Sequence, residues 1–315
     1  MTDLNRDRRE AARHPSGRQY EIERGDQRAV VVQVGGGLRE YEVDGFPVLD
    51  GYGPDELASS ARGQVLMPWP NRLADGRYEF EGGVMQLPLS EPERRNAIHG
   101  LVRWASWEEV RFSRSRVRLG HVLFPRPGYP FALALEVDYE LTGEGLRVTM
   151  SARNIGRWPA PFGAGQHPYV RAQMAGIDGC VLRLPGRSWM EMDERQIPTG
   201  RLLDVGGTEF DFRTPRPIAS TRMDTAFSDL ERGPDGRARV ELRSEDGTRR
   251  VTVWMERGFE YLMVFTGDSL SPEERRRSLG VEPMSCAPDA FRNGLGLVVL
   301  RPGQSWSSSW GIAVG

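Results

Sequence analysis

From Tyr20 to its last residues the chain is written in short runs of alternating apolar and polar residues, each broken by Gly, Pro, Asp or Asn. A period of two with frequent turn residues is the pattern of antiparallel strands, and it leaves little room for the longer period of an amphipathic helix. The clearest hairpin joins 132–141, where Leu133, Leu135, Val137 and Tyr139 alternate with small or polar neighbours, to 146–154 through Thr142-Gly143-Glu144-Gly145. The same reading pairs 78–80 with 84–87, 107–112 with 117–122, 238–244 with 248–255, and 295–300 with 306–314. The strongest helical signal is Ser271–Ser278, where Ser-Pro-Glu-Glu precedes a run of arginines, and it predicts no more than a turn or two.

No composition shift, linker or short fixed repeat divides this series. Residues 20–315 are therefore expected to form one large antiparallel β-sandwich, all-β with few short helices, rather than separate domains, a propeller or a solenoid. With 315 residues, 38% of them hydrophobic, such a sandwich has enough apolar material for a sizeable core. Residues 1–19 crowd charges together without an apolar period and are expected to be a flexible arm, so His14, which lies in it, is given no role.

Charge and chemistry narrow the function. A formal net charge of -2 lacks the basic excess that nucleic acid or an anionic membrane demands, and points to small neutral partners. Every one of the 42 Lys+Arg residues is arginine, which excludes Schiff-base enzymes, lysine-held pyridoxal enzymes and the lysine-bearing phosphate loop. Cys180 and Cys286 are far apart and lack the spacing of a disulfide framework or a thiolate zinc site. Neither Gly35-Gly36-Gly37 nor Gly163-Ala164-Gly165 has the spacing and following helix of a dinucleotide fingerprint. Nothing approaches the roughly 18 apolar residues of a membrane span, and a cytoplasmic protein is expected.

Four segments break the alternation and concentrate polar groups, which is where function is expected to reside. The first, Met67-Pro68-Trp69-Pro70-Asn71-Arg72-Leu73-Ala74-Asp75-Gly76, stiffens the backbone with two prolines and then presents an amide and a forked guanidinium suited to paired hydroxyls; a Pro-rich turn with a surface arginine is the plain alternative. The second, Asn96-Ala97-Ile98-His99-Gly100, precedes Trp104 and Trp107; its histidine could donate to a sugar oxygen, but taken alone it reads as a structural hydrogen-bonding residue. In the third, Gly163-Ala164-Gly165-Gln166-His167-Pro168-Tyr169, two glycines permit close approach and Pro168 biases His167 toward extended backbone; imidazole is the natural group for moving a proton near neutral pH. In the fourth, Leu279–Phe291, the carboxylate of Glu282 sits between Val281 and Pro283 with Met284 and Cys286 beside it, apolar company, so it is either paired or reactive.

Taken together and in this order, these segments resemble the aldose 1-epimerase family, in particular its bacterial branch, over nearly everything after the arm. The resemblance implies a galactose mutarotase-like supersandwich whose open face binds a monosaccharide, an aldohexose such as glucose or galactose, with no metal and no cofactor. His167 matches the family's catalytic histidine and is implied to act as general acid toward the ring oxygen. Glu282 matches its catalytic glutamate and is implied to act as general base toward the anomeric hydroxyl. Arg72 and His99 match substrate-binding positions, and Asp224, in Thr221-Arg222-Met223-Asp224, resembles an aspartate that bonds two sugar hydroxyls. Asn71, Gln166 and Tyr169 complete the implied binding set, with Trp69 or Tyr169 as an aromatic surface. Gln166 stands where relatives commonly carry asparagine or histidine, a departure bearing on substrate choice. A monomer or homodimer is expected.

The implied chemistry suits these residues. Removing the proton on O1 while protonating the ring oxygen opens the sugar, and rotation and reclosure yield the other anomer with the two groups exchanging roles. A histidine entering charged and a glutamate entering ionised predict a rate that falls at both pH extremes, so a flat profile from about 4 to 9, the span of the reference values, is the contrary outcome. The expectation requires His167 and Glu282 to converge on opposite sides of one pyranose. The rival readings are a glycosidase, which needs two facing acids, a phosphosugar epimerase, which needs further arginines at the site, and a catalytically silent sugar-binding protein on the same scaffold.

Overall fold

The computed structural model describes residues 14–315. Strands dominate it, and among the described residues the one α-helix is a single turn, Ala290–Asn293. No helix among them is long and apolar enough to cross a membrane. The first thirteen positions of the expected arm lie outside the described residues; of the remainder, Ser16 is buried and Gln19 opens the first strand.

A nine-stranded antiparallel sheet runs in the order Glu108–Ser113, Arg116–Leu123, Leu133–Thr142, Gly145–Asn154, Ser305–Val314, Arg250–Met255, Ala238–Arg243, Val181–Arg183 and Arg216–Pro217. An eight-stranded sheet runs Pro198–Asp204, Gly186–Met192, Asp224–Leu230, Tyr261–Phe265, Leu279–Met284, Gly165–Gln166 and Val65–Leu66, with Tyr169–Val170 also pairing with Leu279–Met284. Their apolar faces share one core. It takes Leu135, Val148, Val253 and Ile312 from the first sheet and Phe227, Leu262, Val264 and Val281 from the second. A four-stranded sheet, Gln19–Arg24 to Phe46–Pro47, adds Ile22, Val31 and Tyr41 to the same core.

Alternation explains why these segments pair as they do. In the predicted 132–154 hairpin Leu141 stands opposite Leu146, and Leu133 through Leu141 are buried at every second position, as are Leu146 through Asn154. The hairpins around 78–86, 108–123 and 238–255 also form, the second with a bulge between Glu109 and Arg111.

Two expectations fail. Val298–Leu300 does not pair with Ser305–Val314 but with Ala160–Phe162, while Ser305–Val314 enters the middle of the large sheet between Gly145–Asn154 and Arg250–Met255. The cause is burial: Trp310 and Ile312 are fully enclosed there, which an edge hairpin cannot achieve. Ser271–Ser278 forms hydrogen-bonded turns rather than a helix. Arg276 adopts a left-handed φ of 51° and bonds to Asp178, Asp268 and the Thr221 carbonyl instead of extending the coil.

Gly63 joins the four-stranded sheet to the eight-stranded one. Its N–H donates to the His167 carbonyl at 2.9 Å, and its carbonyl accepts from Leu38 N–H at 2.9 Å and from Gln166 Nε2 at 3.0 Å. It holds φ at +66°, and a Cβ there would lie 1.8 Å from the Leu38 carbonyl oxygen. Gly63→Ala is expected to destabilise the protein by more than about 2 kcal/mol, read from the midpoint of urea unfolding; an unchanged midpoint would show that the backbone gives way there.

Candidate active site

The pairing of Leu279–Met284 with the preceding strands fixes the central pair. Gly165 stands opposite Met284 and Tyr169 opposite Gly280, so the residue midway, His167, faces Glu282. The pleat directs both side chains to one face. His167 Nε2 lies 3.2 Å from Glu282 Oε1, and both side chains are buried. The pair is thus side by side, where opposite sides of a sugar were expected. Asp224 lies on the same face, since it pairs with Phe265, which pairs with Gly280.

A second element supplies Arg72 and His99. Arg72–Ala74 pairs with Asn96–Ile98, placing Arg72 opposite Ile98 and bringing the turn before one strand against the turn after the other. His99 N–H donates to the Asn71 carbonyl at 2.9 Å, and Asn71 N–H donates to His99 Nδ1 at 3.2 Å. Asn71 and His99 both adopt left-handed φ, 55° and 61°. Gly100 permits the close approach, because a Cβ on it would meet the Met67 carbonyl oxygen at 2.0 Å. Arg72 is held by Glu91, with Nε to Oε2 at 2.9 Å and Nη2 to Oε1 at 3.0 Å, leaving Nη1 4.0 Å from Asp224 Oδ2. Asn71, Arg72, His99, His167, Tyr169, Asp224 and Glu282 all line one cleft of about 540 Å³, within the size range of small-molecule sites.

Burial sets the protonation of the pair. It pushes His167 down to about 3, with the positive charges of Arg103, Arg62 and Arg72 acting in the same direction. Burial and the neighbouring charge of Asp224 push Glu282 well above the usual carboxylate range, against the pull of Arg72. Burial thus biases both groups toward their neutral forms, a neutral imidazole beside a protonated carboxyl, and away from the expected ion pair. The proton count is one in either arrangement. Glu282 Oε2 is buried without a hydrogen-bond partner, an acceptor facing no donor of the protein. Burial also raises Asp224, opposed by Arg72.

The histidine is braced from behind. Its ring stacks on Tyr169 at 4.7 Å between centroids and 14° between planes, and the Arg62 guanidinium lies over the same tyrosine at 4.8 Å. The Tyr169 hydroxyl donates to the Ser60 carbonyl at 3.0 Å. Arg62 is buried, donating to Glu274 at 2.8 Å and lying 3.5 Å from Asp50. Burial opposes ionisation of Asp50, yet hydrogen bonds from Arg277 and Ser278 and the charges of Arg171 and Arg62 hold its carboxyl below the usual range.

Two expected residues lie elsewhere. Gln166 is fully buried on the opposite face of its strand, where its amide donates to the Gly63 carbonyl at 3.0 Å and the Tyr139 hydroxyl at 2.7 Å; adjacent strand residues point to opposite faces, so Gln166 and His167 cannot share the cleft. Trp69 is a core residue packed on Phe291 at 5.5 Å, outside the cleft. In its place Trp104, more than half exposed, lines the rim together with Arg103. Trp104 carried a sequence signal as the aromatic following His99. Glu91 and Arg62 carried none, being two charges among many whose partners are distant in the chain.

His99, His167 and Glu282 bring potential metal ligands within 4.8 Å of one another. The set fits a metal poorly: His99 Nδ1 already accepts from Asn71, and burial keeps this ring neutral, so its one proton sits on Nε2, which faces the cleft as a donor. Cys180 and Cys286 are both buried and unbonded to each other, and offer no thiolate to the site.

Comparison with known proteins bears on the family and the fold. Residues 18–313 match the aldose 1-epimerase family. The Escherichia coli K12 protein YihR, whose function is uncharacterised, is 35% identical over 295 residues, spanning 92% of this chain and 91% of its own length. The Escherichia coli K12 aldose 1-epimerase is 25% identical over 212 residues, 65% of this chain and 60% of its own. In fold, the chain superposes on the aldose epimerase homologue from C. elegans with a TM-score of 0.85 at 17% identity, covering 94% of this chain and 98% of that one. The sandwich, the ordered segments and the match across nearly its whole length place the chain in the aldose 1-epimerase family of isomerases.

Proposed function

We propose that residues 20–315 form a single catalytic domain that interconverts the α and β anomers of an aldohexose by acid–base ring opening and closure. The observation that carries this reading is the contact of His167 Nε2 with Glu282 Oε1 at 3.2 Å on the floor of the cleft. The ring oxygen and the anomeric oxygen are both bonded to C1, so an adjacent donor and acceptor reach the two reacting oxygens at once, as groups across the ring would not. A merely binding protein has no use for a one-proton pair whose neutral forms are enforced by burial.

Substrate hydroxyls and the Arg72 guanidinium stabilise Glu282 as a carboxylate, and the shared proton moves to His167. Glu282 then takes the proton from O1 while His167 delivers its own to the ring oxygen, and the C1–ring oxygen bond breaks to leave the aldehyde. Reclosure on the other face reverses both transfers. Arg72, His99 through Nε2–H, and Asp224 grip hydroxyls; Asn71 holds His99 in register through its backbone; Tyr169 positions His167.

His167→Asn and Glu282→Gln are each expected to lower kcat by on the order of a thousandfold in anomer-exchange NMR. Both variants should fold. Glu282 is raised in the folded state, so its ionisation costs stability as pH rises, and Glu282→Gln should melt no lower than wild type above neutral pH. Binding of sugar by wild type without faster anomer exchange would instead establish a silent binder.

The active state holds one proton on the pair. A second proton adds to His167 as pH falls, and burial places that acid limb below 6.5, the ordinary histidine value. The shared proton leaves as pH rises, and burial places that limb above 4.5, the ordinary glutamate value. A kcat/KM profile whose acid limb is centred at or above 6.5 would contradict this electrostatic account.

A further inference from the structure

Arg72 and Glu91 form a buried two-point contact beside the catalytic pair. Nε donates to Oε2 at 2.9 Å and Nη2 to Oε1 at 3.0 Å, which occupies two of the three guanidinium nitrogens and leaves Nη1, 4.0 Å from Asp224 Oδ2. Glu91 is fixed in turn. Asn96, fully buried, donates from Nδ2 to Glu91 Oε2 at 3.0 Å, and the two residues exchange backbone bonds at 3.0 and 3.1 Å. Arg195 closes the loop from outside, in the turn that joins Gly186–Met192 to Pro198–Asp204. Its carbonyl accepts from Asn96 Nδ2 at 3.0 Å, while its guanidinium donates to the Arg94 and Arg95 carbonyls at 2.9 Å and to Asp75 at 3.0 Å. A chain of contacts from Arg195 through Asn96 and Glu91 to Arg72 thus runs from the edge of the eight-stranded sheet to the cleft.

The charges along this chain are held by different means. Burial opposes ionisation of Glu91, yet hydrogen bonds from Arg72 and Asn96 and the charges of Arg72 and Arg94 hold its carboxyl below the usual range, so it stays negative while the catalytic pair titrates. Burial likewise opposes the charge on Arg72, and the Glu91 hydrogen bond sustains it, followed by the charges of Asp224, Glu91 and Glu282. Glu282 faces His167, Tyr169, Asp224 and Arg72; Asp224 pushes its proton affinity up and Arg72 draws it down. His167 faces Arg62, Arg103 and His99 besides. Arg72 acts on both members of the pair, and Glu91 is bonded to it through two nitrogens.

We infer that Glu91 is a positioning residue for the epimerase reaction: by engaging Nε and Nη2 it aims a single nitrogen of Arg72 at the cleft and offsets the Arg72 charge, leaving Glu282 able both to take a proton and to release it. The inference rests on the mutarotase reading, in which Glu282 removes the proton from O1 on ring opening and returns it on closure. An unopposed guanidinium would hold Glu282 as its carboxylate counter-ion and weaken it as a base; with no cation at all, burial would keep Glu282 protonated. Glu91 sets Arg72 between these extremes. Its carboxylate, committed to Arg72 and Asn96, acts through Arg72 rather than on the sugar.

The test separates charge from packing. Glu91→Gln keeps the length of the side chain and one acceptor oxygen while removing its charge, whereas Arg195→Gln loosens the same loop and leaves that charge in place. Titration of Glu282 is followed in the free protein by the NMR shift of its carboxyl carbon, assigned by its absence from Glu282→Gln, and kcat and KM come from anomer exchange on D-glucose and D-galactose. In Glu91→Gln the Glu282 titration and the alkaline limb of kcat/KM should both move to lower pH by about one unit, the ordinary spread of protein carboxyls, and kcat should fall by about tenfold or more as the base weakens. In Arg195→Gln the titration should stay in place and any loss should appear in KM. Arg72→Gln should move the titration upward, and adding Glu91→Gln to it should bring it back down, which reads the Glu91 effect without leaving a bare buried cation. An unmoved titration on removing the Glu91 charge in either background, or the same displacement in Arg195→Gln, would overturn the inference. The predicted displacement in a protein that speeds exchange of neither sugar would sustain the electrostatic role of Glu91 and sink the mutarotase reading; faster exchange with an unmoved titration would do the reverse.

Discussion

The antiparallel pairing of Leu279–Met284 with the segment 165–170 is the constraint on which the site depends. Because the ladder sets Gly165 against Met284 and Tyr169 against Gly280, an imidazole and a carboxyl more than a hundred positions apart meet at 3.2 Å. A register slip of one residue would send His167 to the core and Gln166 to the cleft. The strand carrying Glu282 is buried at every position, which secures the register by packing on both faces.

The same burial that fixes the geometry supplies the reactivity. In water the two groups would form an ion pair; enclosed by sheet and loops, they are driven toward neutrality and share one proton. Such a pair costs stability. The surroundings offset it with a firm support, in which the Asp50 cluster holds Arg62, Arg62 lies over Tyr169, and Tyr169 stacks on His167. Around this floor Arg72, Glu91 and Asp224 compensate one another, while among the described residues Arg103 lines the cleft without an ion-pair partner.

Much of the fold was legible from the period of two. The 133–154 hairpin follows from Leu133 to Tyr139 alternating up to a Gly-containing turn, and local pattern suffices there because strand, turn and return strand are contiguous. The last hairpin misled for the complementary reason: Ser305–Val314 has a fitting neighbour in sequence, yet Trp310 and Ile312 find deeper burial between two strands distant in the chain. Ser271–Ser278 carried good helix-starting residues, but Arg276 gained four partners, Asp178, Asp268 and the Thr221 and Ala219 carbonyls, by leaving the helical path.

The sequence by itself determined which residues alternate, where the chain must turn, and which short polar segments interrupt the pattern; these are properties of neighbours, and neighbours are covalently fixed. Only the tertiary structure decided what each polar group meets. It set Gln166 behind the strand and His167 before it, withdrew Trp69 into the core while leaving Trp104 at the rim, gave Arg72 its Glu91 and left Arg103 unmatched. Pairing and desolvation depend on atoms brought together from across the chain, and no local pattern records them.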